Sequence, residues 1–170
     1  CENINNDSVN DLINKINPSI IFVLGTTMIT NKILNNIFCP IINMHTGWSP
    51  NYRGEGIISA LANNGSKDLG VTVHYIDEKS DAGNIIYQSR LKIDKDDNFY
   101  SISLKLIKIG TELFEKVFED FKKKSIISKK QNLDEGKLYS RKFMDLNPEI
   151  YFQAWKNLNN ERENLTDGPS

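Results

Sequence analysis

Two short apolar runs, separated by a segment of helical length, constrain the fold of this chain most. The first, SIIFVLG at 19–25, lacks alternation and ends on a glycine, which is typical of a strand covered on both faces. The second, CPIINM at 39–44, predicts the next strand, and residues 26–38 between them favour a helix. The inward face of that helix would comprise Met28, Ile29, Ile33, Leu34 and Ile37. Strand, helix and strand in this order predict a βαβ unit, and hence a parallel sheet with a right-handed crossover.

The segment from Asn98 to Lys124 has the clearest helical periodicity of the chain. Its apolar stripe comprises Leu106, Ile107, Leu113, Phe114, Val117, Phe118 and Phe121. Three other segments favour helices: 7–17, 55–65 and 147–165. The first would have Ser8 as its N-cap and an inward face of Val9, Leu12, Ile13 and Ile16. The second would be closed by Gly65.

β-Type composition predicts two more strands, at 70–77 and 84–93, and a short extended piece at 138–144. Together the elements predict an α/β fold in which a mostly parallel sheet is flanked by helices. We expect a catalytic or binding domain over residues 1–128 and a C-terminal extension with a short helix over 129–170.

Composition and charge narrow the class of protein. Hydrophobic residues make up 39% and charged residues 25%, as in ordinary globular proteins, so disordered, collagen-like and membrane classes are disfavoured. A net charge of -1 argues against a partner held by phosphate neutralisation, so we expect neither a nucleic-acid nor a membrane partner. Cys1 and Cys39 lack metal-ligand spacing, and the chain shows no secretory leader pattern, so a cytoplasmic location without a metal is the default expectation.

Asn43 and His45 follow the second apolar run, where an open parallel sheet binds ligands. They lie two residues apart, so on an extended chain both side chains point the same way and can meet one substrate atom. An amide and an imidazole together make a plausible pair of donors for an oxyanion. The structural alternative stays open, because an Asn at a strand end is commonly a turn former and a lone His commonly packs.

A carboxylate is needed to orient that imidazole, and the candidates after the next strand are Asp77, Glu78 and Asp81. Asp81 precedes Gly83 in a turn that leads back to the sheet. The other histidine, His74, lies within a predicted strand and is interpreted as structural. The sequence lacks the phosphate-binding loop and dinucleotide motifs, and no Ser or Cys nucleophile lies beside a base.

The stretches NMHTGWSPNYRGEG and LGVTVHYIDEKSDAGNIIYQ, taken together and in this order, resemble the formyltransferases that use N10-formyltetrahydrofolate. Members of that family carry Asn-x-His near Pro-x-x-Arg/Lys-Gly, then a Gly-Val-Thr strand, then Asp-x-Gly. The resemblance spans roughly residues 18–88. It implies a Rossmann-like formyltransferase fold, and it implies that the family's first strands precede this chain, which would then be a fragment.

The resemblance also implies roles for individual residues. Asn43, His45 and Asp81 match the catalytic residues, with Asn43 and protonated His45 stabilising the oxyanion and Asp81 orienting His45 and helping to take the amine's proton. The implied cofactor-binding residues are Gly25, Thr26, Thr27, Met28, Asp77, Glu78, Lys79 and Ser80. The implied substrate-binding or supporting residues are Thr46, Gly47, Tyr52, Arg53 and Gly54.

The form of the first motif, HTGWSPNYRG, is similar to that of nucleotide-sugar N-formyltransferases of surface polysaccharide (lipopolysaccharide) synthesis. The resemblance therefore implies transfer of a formyl group to the amine of an amino sugar, which in this subclass is nucleotide-linked. Methionyl-tRNA, glycinamide ribonucleotide or water as acceptor, and a catalytically silent folate-binding fragment, stay open as alternatives. A homodimer also stays open, because the aromatic segment 138–165 can dock on its own domain or on a partner.

Overall fold

The computed structural model describes residues 3–140, 142 and 147–166. Its strands are β1 (Ile21–Leu24), β2 (Ile41–His45), β3 (Tyr52–Gly54), β4 (Gly70–Tyr75), β5 (Ile85–Arg90) and β6 (Lys137–Tyr139). Its helices are α1 (Asp7–Ile16), α2 (Asn31–Leu34), α3 (Ile57–Asn64), α4 (Phe99–Lys122) and α5 (Pro148–Thr166), with 3-10 turns at Gly65–Asp68 and Leu133–Glu135. The predicted α/β class is confirmed.

Four strands form the main sheet in the order β1-β2-β4-β5. β1 and β2 are parallel, as the βαβ pattern predicts, whereas β4 is antiparallel to both β2 and β5. The described sheet is therefore mixed. The antiparallel pairing puts Asn43 opposite His74 and His45 opposite Thr72, so polar residues from two central strands become neighbours.

The core lies between the central strands and the long helix α4. Ile42 and Val73 of the sheet are fully buried, as are Ile102 and Leu106 of the helix. Gly110 lets α4 approach β2 closely, because a Cβ at this position would overlap the side chain of Met44. Apolar burial on this face holds β2 and β4 in place, and these are the two strands that carry the candidate site.

A second, two-stranded sheet pairs β3 with β6 in parallel. The rings of Tyr52 and Tyr139 stack across it with centroids 5.6 Å apart. Helix α3, which follows β3 in the chain, is closed by Gly65, whose φ of 63° lies in the left-handed region, as the sequence predicts. The small sheet anchors the loop that follows His45.

Several local predictions are wrong in detail. The cap of α1 is Asn6 rather than Ser8, and α1 buries no residue: Leu12 and Ile16 are exposed. The helix predicted over 26–38 shortens to α2, because residues 25–30 run in irregular conformation along the sheet end, which leaves Met28 exposed.

Exposure also differs from the prediction in β1 and α4. β1 is only partly buried, because its outer edge is unpaired among the described residues and Leu24 is exposed. On α4 the buried positions are Ile102, Leu106, Gly110 and Val117, and the predicted stripe members Ile107 and Phe118 are exposed. A 24-residue helix is longer than the sheet that it crosses, so its apolar stripe is covered only in part.

The remaining elements agree with the pattern. Strands β2, β4 and β5 and helices α3 and α5 lie where periodicity predicts them, and β6 occupies the start of the predicted extended piece. The rest of that piece, at 141 and 143–146, lies outside the described residues. Among the helices of the described ranges, none combines the length and the apolar character that crossing a bilayer requires.

The N-terminus of α4 yields a test of fold stability. The side chain of Asn98 accepts hydrogen bonds from the backbone N–H groups of Tyr100 and Ser101, and the Ser101 hydroxyl accepts from the Asn98 N–H. We expect Asn98→Ala to lower the free energy of unfolding by about 1 kcal/mol, since it removes this cap. Urea denaturation measures the change. Asn98→Ser is the matched control, because serine caps equally well, and equal losses in both variants would contradict the interpretation.

Candidate active site

A cleft of about 570 Å³ opens at the C-terminal end of β2 and beside the loop after β4. Asn43 and His45 enter it from β2, and Asp81 enters it from the loop. Other lining residues come from the segment after β1, from the 77–80 loop and from the end of β6. Asp81 thus shares one cavity with two predicted residues that lie 38 and 36 positions earlier in the sequence.

The backbone at Asp81 is held in an unusual conformation. Its φ of 50° lies in the left-handed region, which Asp and Asn tolerate better than other non-glycine residues. Gln131, which is 7% exposed, donates from Nε2 to the carbonyl oxygens of Asp81 at 3.0 Å and Gly83 at 2.6 Å. A Cβ at Gly83 would overlap the Tyr75 carbonyl, so the turn requires glycine there. These contacts aim the Asp81 carboxylate at the sheet end.

The Asp81 carboxylate is 13% exposed and is surrounded by donors. Oδ2 accepts from the Gly54 N–H at 2.8 Å and lies 3.6 Å from His45 Nδ1, while Oδ1 lies 3.4 Å from His74 Nε2. Burial by itself raises the pKa of this carboxyl group. The contact with His74, the charge of His45 and the Gly54 N–H outweigh that effect and hold the pKa at about 2, so Asp81 is an anion at neutral pH.

Asn43, His74 and Asp81 form a triangle of polar atoms. Asn43 Nδ2 lies 3.2 Å from His74 Nε2 and 3.2 Å from Asp81 Oδ1, and the third side measures 3.4 Å. Seen from Nδ2, the two acceptors are therefore separated by only about 60°. The two N–H bonds of a planar amide diverge by about 120°. The amide can therefore direct one N–H between both atoms or give one bent N–H to each, and in the first case its second N–H points to the cleft.

His45 is 6% exposed and is held at both ring nitrogens. Nε2 donates to the Tyr52 carbonyl at 2.6 Å, and Nδ1 faces Asp81 Oδ2. Gly47 makes the first contact possible, since a Cβ there would overlap both His45 Nε2 and the Tyr52 carbonyl. As an imidazolium, His45 would donate at both ends.

Thr72 organises the loop after His45. Its hydroxyl donates to the Gly47 carbonyl at 2.8 Å and accepts from the Ser49 N–H at 3.0 Å and from Gln88 Nε2 at 2.9 Å. The side chain is fully buried. The hydroxyl therefore uses its donor and both acceptor positions to fix the loop that carries Gly47 against His45.

The structure brings together most of the residues predicted for cofactor binding. Those that line the cleft are Gly25, Thr26, Thr27, Met28, Asp77, Lys79 and Ser80. Glu78 instead lines a separate hollow of about 320 Å³ beside α2. Of the predicted supporting residues, Thr46 and Gly54 line the cleft, whereas Gly47, Tyr52 and Arg53 are not among its lining residues.

Sequence reasoning missed two contributions to this site. His74, interpreted as structural, contacts both Asn43 and Asp81 and lines the cleft. The one available signal was that His74 lies two residues after Thr72 on β4, so that both side chains point to the same face of the sheet. Gln131 has no motif around it, and only the folded chain puts it against Asp81.

Comparisons with known proteins identify one family. Residues 2–118 match the model of a family described as formyl transferase. A curated relative, methionyl-tRNA formyltransferase from Finegoldia magna, is 30% identical over 141 residues, which are 82% of this chain and 46% of the relative. The chain thus spans about half the length of the curated relatives that it matches.

Solved structures share the fold. A 4-N formyltransferase from Francisella tularensis superposes with a TM-score of 0.69 at 26% identity, covering 85% of this chain and 63% of that one. An N-formyltransferase from Helicobacter canadensis, solved with folinic acid and dTDP-3-aminofucose, has a TM-score of 0.67 at 25% identity, covering 78% and 52%.

Thr72 provides a stability test of the loop. We expect Thr72→Val to lower the free energy of unfolding by about 1–3 kcal/mol, because the buried Gly47 carbonyl and Ser49 N–H lose their partner. Thr72→Ser keeps the hydroxyl and serves as control, with a smaller loss from the missing methyl group. Chemical denaturation measures both variants, and a valine variant as stable as the serine variant would contradict the role given to the hydroxyl.

The low pKa of Asp81 makes stability depend on pH in a defined direction. The folded-state pKa of about 2 lies below the ordinary aspartate pKa of 3.8, so the unfolded chain binds the proton more tightly. The stabilisation is present above about pH 4, amounts to about 2 kcal/mol, and is lost as pH falls toward 2. Asp81→Asn tolerates the same backbone and removes the titration. Acid denaturation curves of both proteins should converge as pH falls, and parallel curves would contradict the assignment.

Proposed function

The chain belongs to the formyl transferase family, and from that membership we propose that it transfers a formyl group from N10-formyltetrahydrofolate to an amine. The observation that carries the proposal is the meeting of Asn43, His45 and Asp81 at the mouth of one cleft. Amide and imidazole donors beside a buried carboxylate fit acyl transfer through a tetrahedral intermediate. The activity needs no covalent intermediate on the protein, because the amine itself is the nucleophile.

In the proposed reaction, the amine nitrogen attacks the formyl carbon and negative charge develops on the formyl oxygen. An N–H of Asn43 that is not engaged by His74 or Asp81 is available to that oxygen. A preorganised donor of this kind acts without reorganisation at the moment of reaction.

His45 contributes its charge. Tyr52 and Asp81 flank the ring with acceptors at both nitrogens, which suits the cationic form. A buried positive charge beside the developing oxyanion lowers the energy of the intermediate, and Asp81 keeps the ring in place. Because its pKa is about 2, Asp81 orients and neutralises His45 better than it could store a proton.

The folate would lie along two loops, at Gly25–Met28 and Asp77–Ser80, which both contribute lining residues to the cleft. A volume of about 570 Å³ falls within the range for small-molecule sites. Thr46 and Gly54 line the side that an acceptor amine would approach. We place Glu78 outside this site, because it lines the separate hollow.

For the acceptor we propose the amine of a nucleotide-linked amino sugar, in surface polysaccharide synthesis in the cytoplasm. The motif HTGWSPNYRG supports this choice, as does the likeness to the Helicobacter canadensis protein that was solved with dTDP-3-aminofucose. The second candidate is methionyl-tRNA, which the curated relatives favour by their printed names.

An acceptor comparison separates these candidates. The chain is incubated with N10-formyltetrahydrofolate and, separately, with dTDP-3-aminofucose, methionyl-tRNA, glycinamide ribonucleotide or buffer alone. Tetrahydrofolate release and the formylated product are followed together. We expect product with the amino sugar and not with the others. Transfer to methionyl-tRNA instead would overturn the acceptor assignment, and folate binding without transfer would indicate a silent binding module.

Alanine variants test the site itself. We expect Asn43→Ala, His45→Ala and Asp81→Ala each to lower kcat by about 100-fold or more, which is the scale for one oxyanion donor or acid-base group. Asn164→Ala, at an exposed position of α5, is the matched control and should keep full activity. Steady-state kinetics with the preferred acceptor gives the values. Near-normal turnover in the Asn43 and His45 variants would refute the mechanism.

A further inference from the structure

His74 is a buried titratable residue for which the proposed mechanism has no use so far. Its side chain is 2% exposed, and it borders the cleft at the centre of β4. Nδ1 donates to the Tyr75 carbonyl at 2.7 Å, and a carbonyl can only accept, so Nδ1 carries a proton. The state of the ring is therefore decided at Nε2.

Nε2 faces one donor and one acceptor at nearly the same distance. When it is bare, it accepts from Asn43 Nδ2 at 3.2 Å. When it is protonated, it faces Asp81 Oδ1 at 3.4 Å, an ion-pair distance. Most buried polar groups are satisfied in a single protonation state, whereas this nitrogen has a partner in either. That is the arrangement a group needs to take up a proton and release it again without leaving a buried atom unpaired.

We propose that His74 is the proton acceptor of the formyl-transfer reaction, acting through Asp81 and Asn43; this inference rests on the proposed function. Asp81 lines the same cleft and lies between His45 and His74, with one oxygen toward each histidine. Two titratable groups approach His74 from the elements around it: Asp81, in the loop after β4, contacts it directly, and His45, on β2, lies on the other side of the Asp81 carboxylate. Because the pKa of Asp81 is about 2, its carboxyl group would not retain a proton, but it could pass one on to an imidazole.

The step balances as follows. Attack of the amine forms the new C–N bond and moves the carbonyl π pair onto oxygen, which leaves the nitrogen positively charged. Its surplus proton passes to Asp81 Oδ1 and then to His74 Nε2. As the oxyanion restores the C=O bond, the bond to N10 of the folate breaks, and the same proton returns to N10. No proton is gained or lost overall.

Protonation of His74 also acts on Asn43. Once Nε2 carries a proton, it no longer accepts from Asn43 Nδ2, so the amide has one acceptor fewer inside the protein. Asp81 Oδ1 then remains as the acceptor for one N–H, and the other N–H can turn to the cleft when the oxyanion exists. His74 thus couples proton uptake to oxyanion stabilisation.

The kinetic test uses His74→Gln, which can still accept from Asn43 but cannot carry a proton. We expect kcat to fall about 100-fold with KM within about twofold, the scale of a lost acid-base group. In the wild type, kcat should fall at low pH because a protonated His74 cannot accept, and the variant should lose that limb. His74→Phe, which removes the polar contact as well, should be slower still. An unchanged kcat and pH profile in His74→Gln would overturn the inference.

A second measurement does not depend on activity or on the folding of a variant. Nitrogen NMR of the wild-type chain, labelled at histidine and asparagine, should show His74 protonated at Nδ1 and, across a pH series, a change in the Nε2 signal. The Asn43 side-chain amide signals should shift with the same midpoint. A ring that does not titrate, or an amide that ignores it, would overturn the inference. A chain that shows the coupling but transfers no formyl group would contradict the proposed function and support the proton-binding behaviour of His74.

Discussion

A buried carboxylate, that of Asp81, is the interaction on which the rest of the site depends. Removing a charge from water costs several kcal/mol unless it is paired and hydrogen-bonded. Here the Gly54 N–H, the two histidines and the Asn43 amide surround it, and each comes from a different strand or strand position. The carboxylate therefore ties β2, β3 and β4 together at the point where the cleft opens.

The close fit around Asp81 is maintained from behind the cleft. Gln131 holds the backbone of the Asp81 turn, and Thr72 holds the loop that presses Gly47 against His45. Neither residue is needed for the chemistry that we propose. They keep donors and acceptors within a few tenths of an ångström of useful geometry, which is the condition for electrostatic preorganisation.

Sequence patterns predicted a good part of the fold. The βαβ unit, the two later strands and the long helix follow from apolar periodicity, and the structure contains them. The pattern-based predictions were wrong where contacts with other elements determine the conformation or the exposure of a residue. Residues 25–30 have helical composition but run irregularly along the cleft, and Ile107 and Phe118 lie on a stripe that the sheet is too short to cover. For the site, strand spacing pointed to Asn43 and His45, the family resemblance selected Asp81 from three candidate carboxylates, and His74 was interpreted as structural.

The sequence by itself determined the residue types and the order of the strands that carry them, and with these the family. Local spacing is enough for that, because side chains two apart on a strand share a face. Only the tertiary structure decided which side chains meet. The antiparallel pairing of β4 with β2 puts His74 opposite Asn43, and the left-handed turn at Asp81 brings its carboxylate to both. Pairing direction and register arise from burial over the whole sheet, so no short motif could reveal them.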